Sequence, residues 1–350
     1  MTLEVKHTNP RYLTGIFFSI LFVIAFLSSC TDLQRDYQEI QGNAQGTYYS
    51  IKYLADKELV SKAEIDLLFD KIDSSLSTYK EYSLINQLNK VDSMLISDKM
   101  MITMIEQSGW VFNQSNGSFD PTVMPLVKAW GFGPEGNEFV SDSPIDSILK
   151  KVGWDKLKIE AQGDELMLYK TVEGMQLDFN AIAQGYASDI IADYFDDRGI
   201  NDYLIDSGGE LRAKGKNNKN DFWAVGIERP EENNMDRSIL ARLVLKNKSV
   251  ATSGNYRKFY IKDGVKYSHT ISPFTGLPAE HTLLSATVIT DTCSLADAYA
   301  TALMVMGTDK AIAFIEERAN VEAYLVYSDE NGNFKTYQSP GLKGLITERD

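Results

Sequence analysis

The sequence predicts an α+β fold in which helices pack on one large sheet of mixed or mostly antiparallel strands. From about residue 156 onward, short apolar runs of strand length follow one another between polar, turn-forming segments. Helical patterns are few, and the regular strand–helix–strand alternation of a parallel α/β fold is missing. The 350 residues are 43% hydrophobic, which is ample for one large core or for two closely packed lobes.

The N-terminus carries the pattern of an export signal. Lys6 and Arg11 precede an apolar run over residues 12–27, which is short for a transmembrane helix. Two serines stand directly before Cys30, and a small-residue pair before a cysteine is typical of a bacterial lipoprotein signal. We therefore expect that residues 1–29 are cleaved off and that Cys30 is lipidated. An ordinary secretory signal with an incidental cysteine is the alternative.

The predicted processing also divides the rest of the chain. Residues 30–43 are polar and lack periodicity, which predicts a flexible tether, and residues 44–350 are the predicted folded domain. The mature protein is expected outside the cytoplasm, on the periplasmic side, anchored by its lipid to a bacterial membrane. Only Cys293 remains in the predicted folded domain, so no intrachain disulfide is expected.

Charge and histidine content limit the partners and the kinds of metal site that this chain is expected to have. The formal net charge is −14, which argues against a nucleic-acid partner because phosphates would be repelled. Histidine occurs only at His7, His269 and His281, and no His/Cys cluster has the spacing of a zinc site. Any bound metal is therefore expected to be a hard cation held by oxygen atoms.

The first half of the chain predicts a strand followed by three helices. Residues 44–53 form a Gly-containing turn and an alternating strand. Ser61 and Glu64 make a capping box that predicts the first helix. A second amphipathic helix is predicted to begin at Ser97, and a short third helix begins at Pro144.

The second half predicts most of the sheet. A hairpin is predicted over residues 156–170. Further strands are predicted at residues 202–205, 222–227, 240–245, 256–261 and 285–290. The two substantial helices among them, 181–198 and 294–306, are both Ala-rich and both follow an apolar run, which suggests an internal duplication.

Residues 177–189 contain the first candidate site. A predicted strand ends at Asp178, and a helix rich in small residues follows from Asn180. The free N–H groups of a helix start suit an anion, and Ala181 and Gly185 allow another group to approach the backbone closely. The same pattern fits an Asn-capped core helix, which is the interpretation that this segment favours by itself.

Asp297 and Thr301 form the second candidate site. They are spaced i, i+4 on a predicted helix, so that a carboxylate and a hydroxyl lie on one face. Together they supply half of an oxygen site for Mg²⁺ or Ca²⁺. The alternative is a solvated acid and a threonine that bonds back to its own helix.

Other motifs offer acid–base and binding groups. His269 stands at a predicted strand exit, where it suits a general base or is simply a structural histidine, and His281 is the competing candidate. The glycine-bearing segments 206–211 and 251–256 fit phosphate contacts, but tight hairpin turns are the preferred interpretation. The Pro-, Gly- and aromatic-rich segment 119–133 either walls a flat ring or closes the core.

Seven motifs in this order closely resemble those of the ApbE family. They are Gly46-Thr-Tyr48, Asp120-Pro-Thr122 with Trp130-Gly-Phe-Gly133, Leu177–Asp189, Ser207-Gly-Gly-Glu210, Thr252-Ser-Gly-Asn-Tyr256, Ser268-His-Thr-Ile-Ser-Pro273 with Thr275-Gly276, and Ala296-Asp-Ala-Tyr-Ala-Thr301. The resemblance extends from about Gln45 to Gly307. Family members are FAD:protein FMN transferases, often exported lipoproteins, so the resemblance implies a flavin transferase domain of T-fold type.

The resemblance implies a specific reaction. Family members split FAD at its pyrophosphate, attach the FMN half to a threonine of a target protein and release AMP. By similarity, Mg²⁺ would be held by the Ala181 carbonyl, Asp297 and Thr301, and His269 would help to deprotonate the acceptor threonine. The acceptor that the family suggests is a membrane electron-transport subunit.

The resemblance also implies where FAD binds. The corresponding positions are Gln45 near the adenine end, Trp130, Gly131, Phe132, Asp178, Gln184, Thr252 and Ser253 near the phosphates, and the backbone at Ile271. Three positions depart from the family pattern: Gln45 replaces Met, Gln184 replaces Lys or another charged residue, and Ser272 replaces Asp. We expect these departures to affect affinity more than activity.

Two alternatives stay open on the same scaffold. One is a Mg²⁺-dependent FAD pyrophosphatase, in which water replaces threonine. The other is a non-catalytic FAD-binding lipoprotein, with a purely structural surface lipoprotein as the most distant reading.

Overall fold

The computed structural model describes residues 36–134, 144–231, 238–255, 259–262 and 265–349. Numbered along the chain, the strands are β1 Tyr37–Ala44, β2 Thr47–Leu54, β3 Ser93–Ile96, β4 Leu157–Gln162, β5 Glu165–Lys170, β6 Tyr203–Ser207, β7 Glu210–Lys214, β8 Trp223–Glu228, β9 Ile239–Leu245, β10 Ser249–Gly254, β11 Phe259–Lys262, β12 Val265–Ser268, β13 Leu283–Thr290, β14 Glu322–Ser328, β15 Phe334–Gln338 and β16 Ile346–Glu348. The α-helices are α1 Lys62–Leu76, α2 Leu84–Asn89, α3 Lys99–Gln114, α4 Met124–Ala129, α5 Ile145–Leu149, α6 Asn180–Asp196, α7 Cys293–Met306 and α8 Thr308–Glu316.

One eight-stranded antiparallel sheet organises the described chain. Its strand order is β1-β2-β6-β7-β10-β13-β14-β15. Two three-stranded sheets, β3-β5-β4 and β16-β9-β8, and the hairpin β11-β12 complete the strand pairing. The predicted α+β class with a large, mostly antiparallel sheet is confirmed, whereas the internal duplication stays a prediction.

Alternating side chains place the large sheet between two cores. Ala251, Val288 and Leu325 point into the major core, which also contains the buried faces of α1, α3, α6 and α7. Their sequence neighbours Val250 and Ile289 belong to a second core under the β16-β9-β8 sheet. This two-residue period is the geometry of a strand buried on both faces. The ends of β6, β7 and β10 therefore lie between the helical layer and the β16-β9-β8 sheet.

The predicted tether at residues 30–43 is wrong in its second part. Tyr37–Ala44 is strand β1, which pairs along its whole length with β2 and buries Ile40 in the major core. The segment looks structureless in sequence because an edge strand needs few apolar residues when its neighbour supplies the backbone hydrogen bonds. The signal segment 1–29 and Cys30 lie outside the described residues. Within the described ranges, no helix is long and apolar enough to cross a bilayer.

Most other predicted elements are confirmed. The Ser61–Glu64 capping box is formed at α1, and the 156–170 hairpin is the pair β4–β5. The second amphipathic helix begins at Lys99, because its N-cap is Asp98 rather than Ser97 and accepts the hydrogen bond from the Met101 N–H at 2.8 Å.

Two kinds of element were missed or misassigned. Residues 251–254 of the segment predicted as a turn at 251–256 are the end of strand β10, and Thr252 and Ser253 line a cleft instead of facing solvent, while Tyr256 lies outside the described residues. The C-terminal elements α8, β14, β15 and β16 were not predicted. Among them, β14 and β15 complete the large sheet, and β16 completes the β16-β9-β8 sheet.

Candidate active site

A cleft of about 1240 Å³ lies between the α6–α7 pair and the ends of β6, β7 and β10. Of the predicted site residues in the described chain, every one except Trp130 lines it. These residues are Gln45, Gly131, Phe132, Asp178, Ala181, Gln184, Thr252, Ser253, His269, Ile271, Asp297 and Thr301. The fold thus gathers motifs that are separated by up to about 250 residues in sequence around one cleft.

The helices α6 and α7 bring the predicted metal ligands together. Both are rich in small residues, and a Cβ atom on Gly185 would lie 2.3 Å from the Cys293 carbonyl oxygen. The Gly185 N–H donates a hydrogen bond to Asp297 Oδ2 at 3.1 Å. In a regular helix that N–H points at the carbonyl of Ala181, four residues earlier. The Asp297 carboxylate and the Ala181 carbonyl therefore converge at one point.

Oxygen atoms dominate this part of the cleft. Asp297 is 7% exposed, and Thr301 lies one turn further along the same helix. The Ser253 hydroxyl of β10 is 3.4 Å from the Thr301 hydroxyl. The residues described contain no cluster of three His, Cys, Asp or Glu side chains that would hold a metal by itself. The donor set is therefore one carboxylate with hydroxyl and carbonyl oxygens, which suits a hard cation that keeps further ligands from water or phosphate.

The start of α6 differs from both sequence interpretations. Residues before it form no strand beyond a single bridge at Gln176, and the helix is not capped by Asn180, since Phe179 is the N-cap and makes no side-chain cap bond. Instead, the Asp178 carboxylate accepts a hydrogen bond from the Asn180 N–H at 2.8 Å. Desolvation raises the pKa of Asp178, although the Asn180 hydrogen bonds oppose this shift. Asp178 thus presents a carboxyl group to the cleft at the helix start.

Gln184 contacts the chain instead of projecting freely into the cleft. Its Nε2 atom donates to the Ser207 carbonyl at 2.9 Å. Ser207 ends β6, and the turn that follows has Gly208 at φ 71°, where a Cβ atom would lie 2.0 Å from Gln184 Nε2. The segment 206–211 is therefore a hairpin turn, as preferred from the sequence, and it lines the cleft as well. The amide at position 184 serves to hold this turn.

Gln45 lies in the turn between β1 and β2, at the rim of the cleft. It adopts φ 52°, and its amide donates to Asp73 Oδ1 at 3.3 Å. The predicted contact with the adenine end of FAD would be made from this rim.

The aromatic segment forms the opposite wall. Trp130 does not line the cleft, because its indole N–H donates to the Gly276 carbonyl at 2.8 Å and its ring lies in a core behind the wall. It supports Gly131 and Phe132, which do line the cleft. The Phe132 ring meets the His269 ring edge-on, with centroids 6.4 Å apart. The loop both closes a small core and walls the cleft.

The two histidines have different surroundings. His269 follows strand β12, as predicted, and lines the cleft. His281 lies outside it, and its Nε2 atom hydrogen-bonds the Met304 carbonyl in the last turn of α7. His269 is therefore the histidine available for chemistry in the cleft.

Sequence reasoning missed several lining residues. Tyr79 is 63% exposed at the cleft, and both desolvation and the charge of Asp178 raise its pKa. Lys52 and Glu228 were missed as well, whereas Asp120, Asp206 and Glu210 line the cleft from segments that the sequence indicated without naming them as site residues. Carboxylates thus outnumber lysines among the described lining residues. Tyr79, Lys52 and Glu228 carry no local signal, because they lie outside the motifs that the sequence indicated.

Comparisons with known proteins show which family this chain resembles. The ApbE family model matches residues 45–325. An FAD:protein FMN transferase of Vibrio cholerae serotype O1 is 33% identical over 319 residues, covering 88% of this chain and 92% of that protein. The solved flavin transferase ApbE from Vibrio cholerae superposes with a TM-score of 0.77 at 31% identity, covering 89% of this chain and 99% of that one. The apo flavinyl transferase ApbE from Pseudomonas stutzeri gives 0.78 at 32%, with coverages of 89% and 97%.

Proposed function

The chain belongs to the ApbE family and is an FAD:protein FMN transferase, and we propose that it uses Mg²⁺ to transfer the FMN half of FAD to a threonine hydroxyl, releasing AMP. The observation that carries this proposal is the meeting of Asp297, Thr301 and the start of α6 in a cleft that His269 also lines. These groups come from three separate parts of the chain. Their shared position fits a reaction at a diphosphate.

The charge of the cleft supports a cation-dependent reaction. The diphosphate of FAD is an anion, and the lining is rich in carboxylates. The Asp297 carboxylate, the Thr301 hydroxyl and the Ala181 carbonyl would hold the ion, as the oxygen donors fit Mg²⁺. When bound, Mg²⁺ neutralises charge on the phosphate oxygens and on the leaving group.

His269 would accept the proton of the acceptor threonine. The threonine oxygen then attacks the phosphorus of the FMN half, and the bond from that phosphorus to the bridging oxygen breaks. The electron pair of this bond leaves with AMP. Phe132 contacts the imidazole edge-on and restricts its orientation, which favours a base held in one position.

The remaining contacts would bind and orient FAD. Phe132 and Gly131 form a wall for a flat ring, and the Ser253 hydroxyl lies beside Thr301, while the Thr252 hydroxyl lies 2.9 Å from the Thr287 hydroxyl in the same cleft. Gln45 would contact the adenine end, and Asp178, Gln184 and the backbone of Ile271 would complete the site. Trp130 would act only by supporting Gly131 and Phe132.

We further propose that the protein is a lipoprotein outside the cytoplasm and that its acceptor is a membrane electron-transport subunit. The apolar run before Cys30 supports this proposal. Replacing Cys30→Ala should abolish incorporation of labelled palmitate and move the protein from the membrane to the soluble fraction. Retained labelling of the variant would contradict lipidation at this residue.

The transferase proposal is tested with the full-length chain in detergent, FAD, Mg²⁺ and an acceptor protein that contains the candidate threonine. Mass spectrometry should detect one FMN adduct on that threonine together with an equal amount of AMP, and EDTA should prevent both. Free FMN and AMP without a labelled protein would support the pyrophosphatase instead. Retention of FAD without any AMP would support a non-catalytic binding protein.

A further inference from the structure

The two helices of the site meet along matching faces. On each helix the contacting residues are spaced by four, which is about one turn or 6 Å along the axis. They are Ala181, Gly185 and Asp189 on α6, and Cys293, Asp297 and Thr301 on α7. Contacts of Asp189 with Cys293 and of Gly185 with Asp297 show that the helices run antiparallel. At the end of this series away from Asp189, Ala181, Asp297 and Thr301 line the cleft.

Asp189 caps α7 from the neighbouring helix. Its Oδ1 atom accepts a hydrogen bond from the Cys293 N–H at 2.8 Å, and Oδ2 accepts one from the Ser294 N–H at 2.9 Å. The N-cap residue of α7, Thr292, makes no side-chain cap bond. The carboxylate of Asp189 therefore satisfies N–H groups that helices commonly pair with their own N-cap side chain.

Arg212 completes this arrangement from the large sheet. Its Nη1 atom lies 2.6 Å from Asp189 Oδ1, and Asp189 is 6% exposed. This buried carboxylate is surrounded by the guanidinium, two backbone donors and the positive end of α7. The three groups join α6, α7 and strand β7 at one point.

We propose that Asp189 is a positioning residue for the metal site, a role that rests on the proposed function. It fixes where α7 begins against α6, both along the axis and in rotation. Asp297 and Thr301 follow one and two turns later on the same face, so their distance from the Ala181 carbonyl depends on this anchor. Gly185 supplies the close approach between the helices, and Asp189 supplies the register.

The test is metal affinity measured without turnover. Mn²⁺ binding to the full-length chain in detergent with FAD is followed by electron paramagnetic resonance. In Asp189→Asn, one of the two carboxylate oxygens becomes an NH₂ group that faces a backbone donor. We expect Mn²⁺ affinity to fall about tenfold, as outer-shell changes at metal sites typically do.

The chain offers a matched control. Asp196 lies on the same helix and pairs with Lys214 on the same strand at 3.0 Å, but it does not contact α7 in the described contacts. Asp196→Asn should therefore bind Mn²⁺ as the wild type does. In steady-state assays, Asp189→Asn should raise the half-saturating Mg²⁺ concentration while leaving the KM for FAD within about twofold.

The outcomes separate this inference from the proposed function. If the wild type binds no Mn²⁺ with FAD, the proposed metal site fails. If the wild type binds and a folded Asp189→Asn binds equally well, the positioning role is refuted. If Asp189→Asn does not fold, Arg212→Lys replaces it, and an unchanged Mn²⁺ affinity in that variant also refutes the role.

Discussion

The two walls of the cleft are built differently. The helix wall, α6 and α7, is packed backbone to backbone around Gly185 and presents Asp297 from a buried position. The opposite wall consists of turns and loops that present Gln45, Phe132 and His269. Metal ligands must keep their distances to within tenths of an ångström, whereas contacts to a large flexible substrate tolerate adjustment. If the helix wall holds the ion, as proposed, the more exacting task falls to the wall whose helices pack backbone to backbone.

Substitution of Asp297 should produce the largest effect and tests the helix wall directly. Asp297→Asn removes the only carboxylate among the proposed metal ligands, so AMP release should fall about 10²- to 10³-fold. Asp291→Asn is the control, because Asp291 precedes α7 and is exposed in an ion pair with Lys248. Equal activities of the two variants would show that the helix wall does not hold the ion.

Substitution of His269 tests the loop wall. His269→Ala should reduce FMN transfer about 10²-fold and flatten the pH dependence near neutrality, because the proton acceptor is lost. FAD binding, measured by fluorescence quenching, should change little. His281→Ala is the control, since His281 lies outside the cleft and contacts the end of α7. If a folded His269→Ala variant transfers FMN as fast as the wild type, His269 is not the base.

Substitution of Gly185 asks how rigid the helix wall is. A Cβ atom there would meet the backbone of Cys293 at 2.3 Å, and a backbone cannot rotate away. Gly185→Ala should lower the free energy of unfolding by about 2 kcal/mol, measured in urea. Gly109→Ala is the helical control, because its Cβ would meet only the Trp154 side chain at 3.0 Å. If the two variants lose equal stability, the backbone contact at Gly185 does not make the helix wall more rigid than an ordinary helix contact.

Substitution of Gln184 should have the smallest effect. Gln184→Ala removes one hydrogen bond to the Ser207 carbonyl, worth about 1 kcal/mol, and loosens the turn that lines the cleft. The KM for FAD should rise about threefold to fivefold with kcat nearly unchanged. Gln87→Ala removes a similar bond, to the Tyr82 carbonyl, on α2 and outside the cleft lining. A large loss of kcat in Gln184→Ala would mean that this amide acts in the chemistry.

Most of the fold and site could be predicted where the signal is local. The capping box at Ser61 and the Ala-rich helices carry their own short-range patterns, and the ordered motifs led to the cleft residues. Predictions failed where the partner is distant. Strand β1 is stabilised by β2, and the segment before α6 is held by the Asp178 N–H, which donates to the Pro121 carbonyl at 2.8 Å.

By itself, the sequence determined the fold class, the family and the list of candidate groups, because residue periodicity and motif order are properties of the chain. Only the tertiary structure decided which groups meet. In the folded chain the Trp130 ring lies behind the cleft wall, and the Gln184 amide donates to the Ser207 carbonyl. The Asp189 carboxylate accepts hydrogen bonds from the first N–H groups of α7. Those outcomes depend on helix register and strand order, which are fixed by packing between segments that lie far apart in the chain.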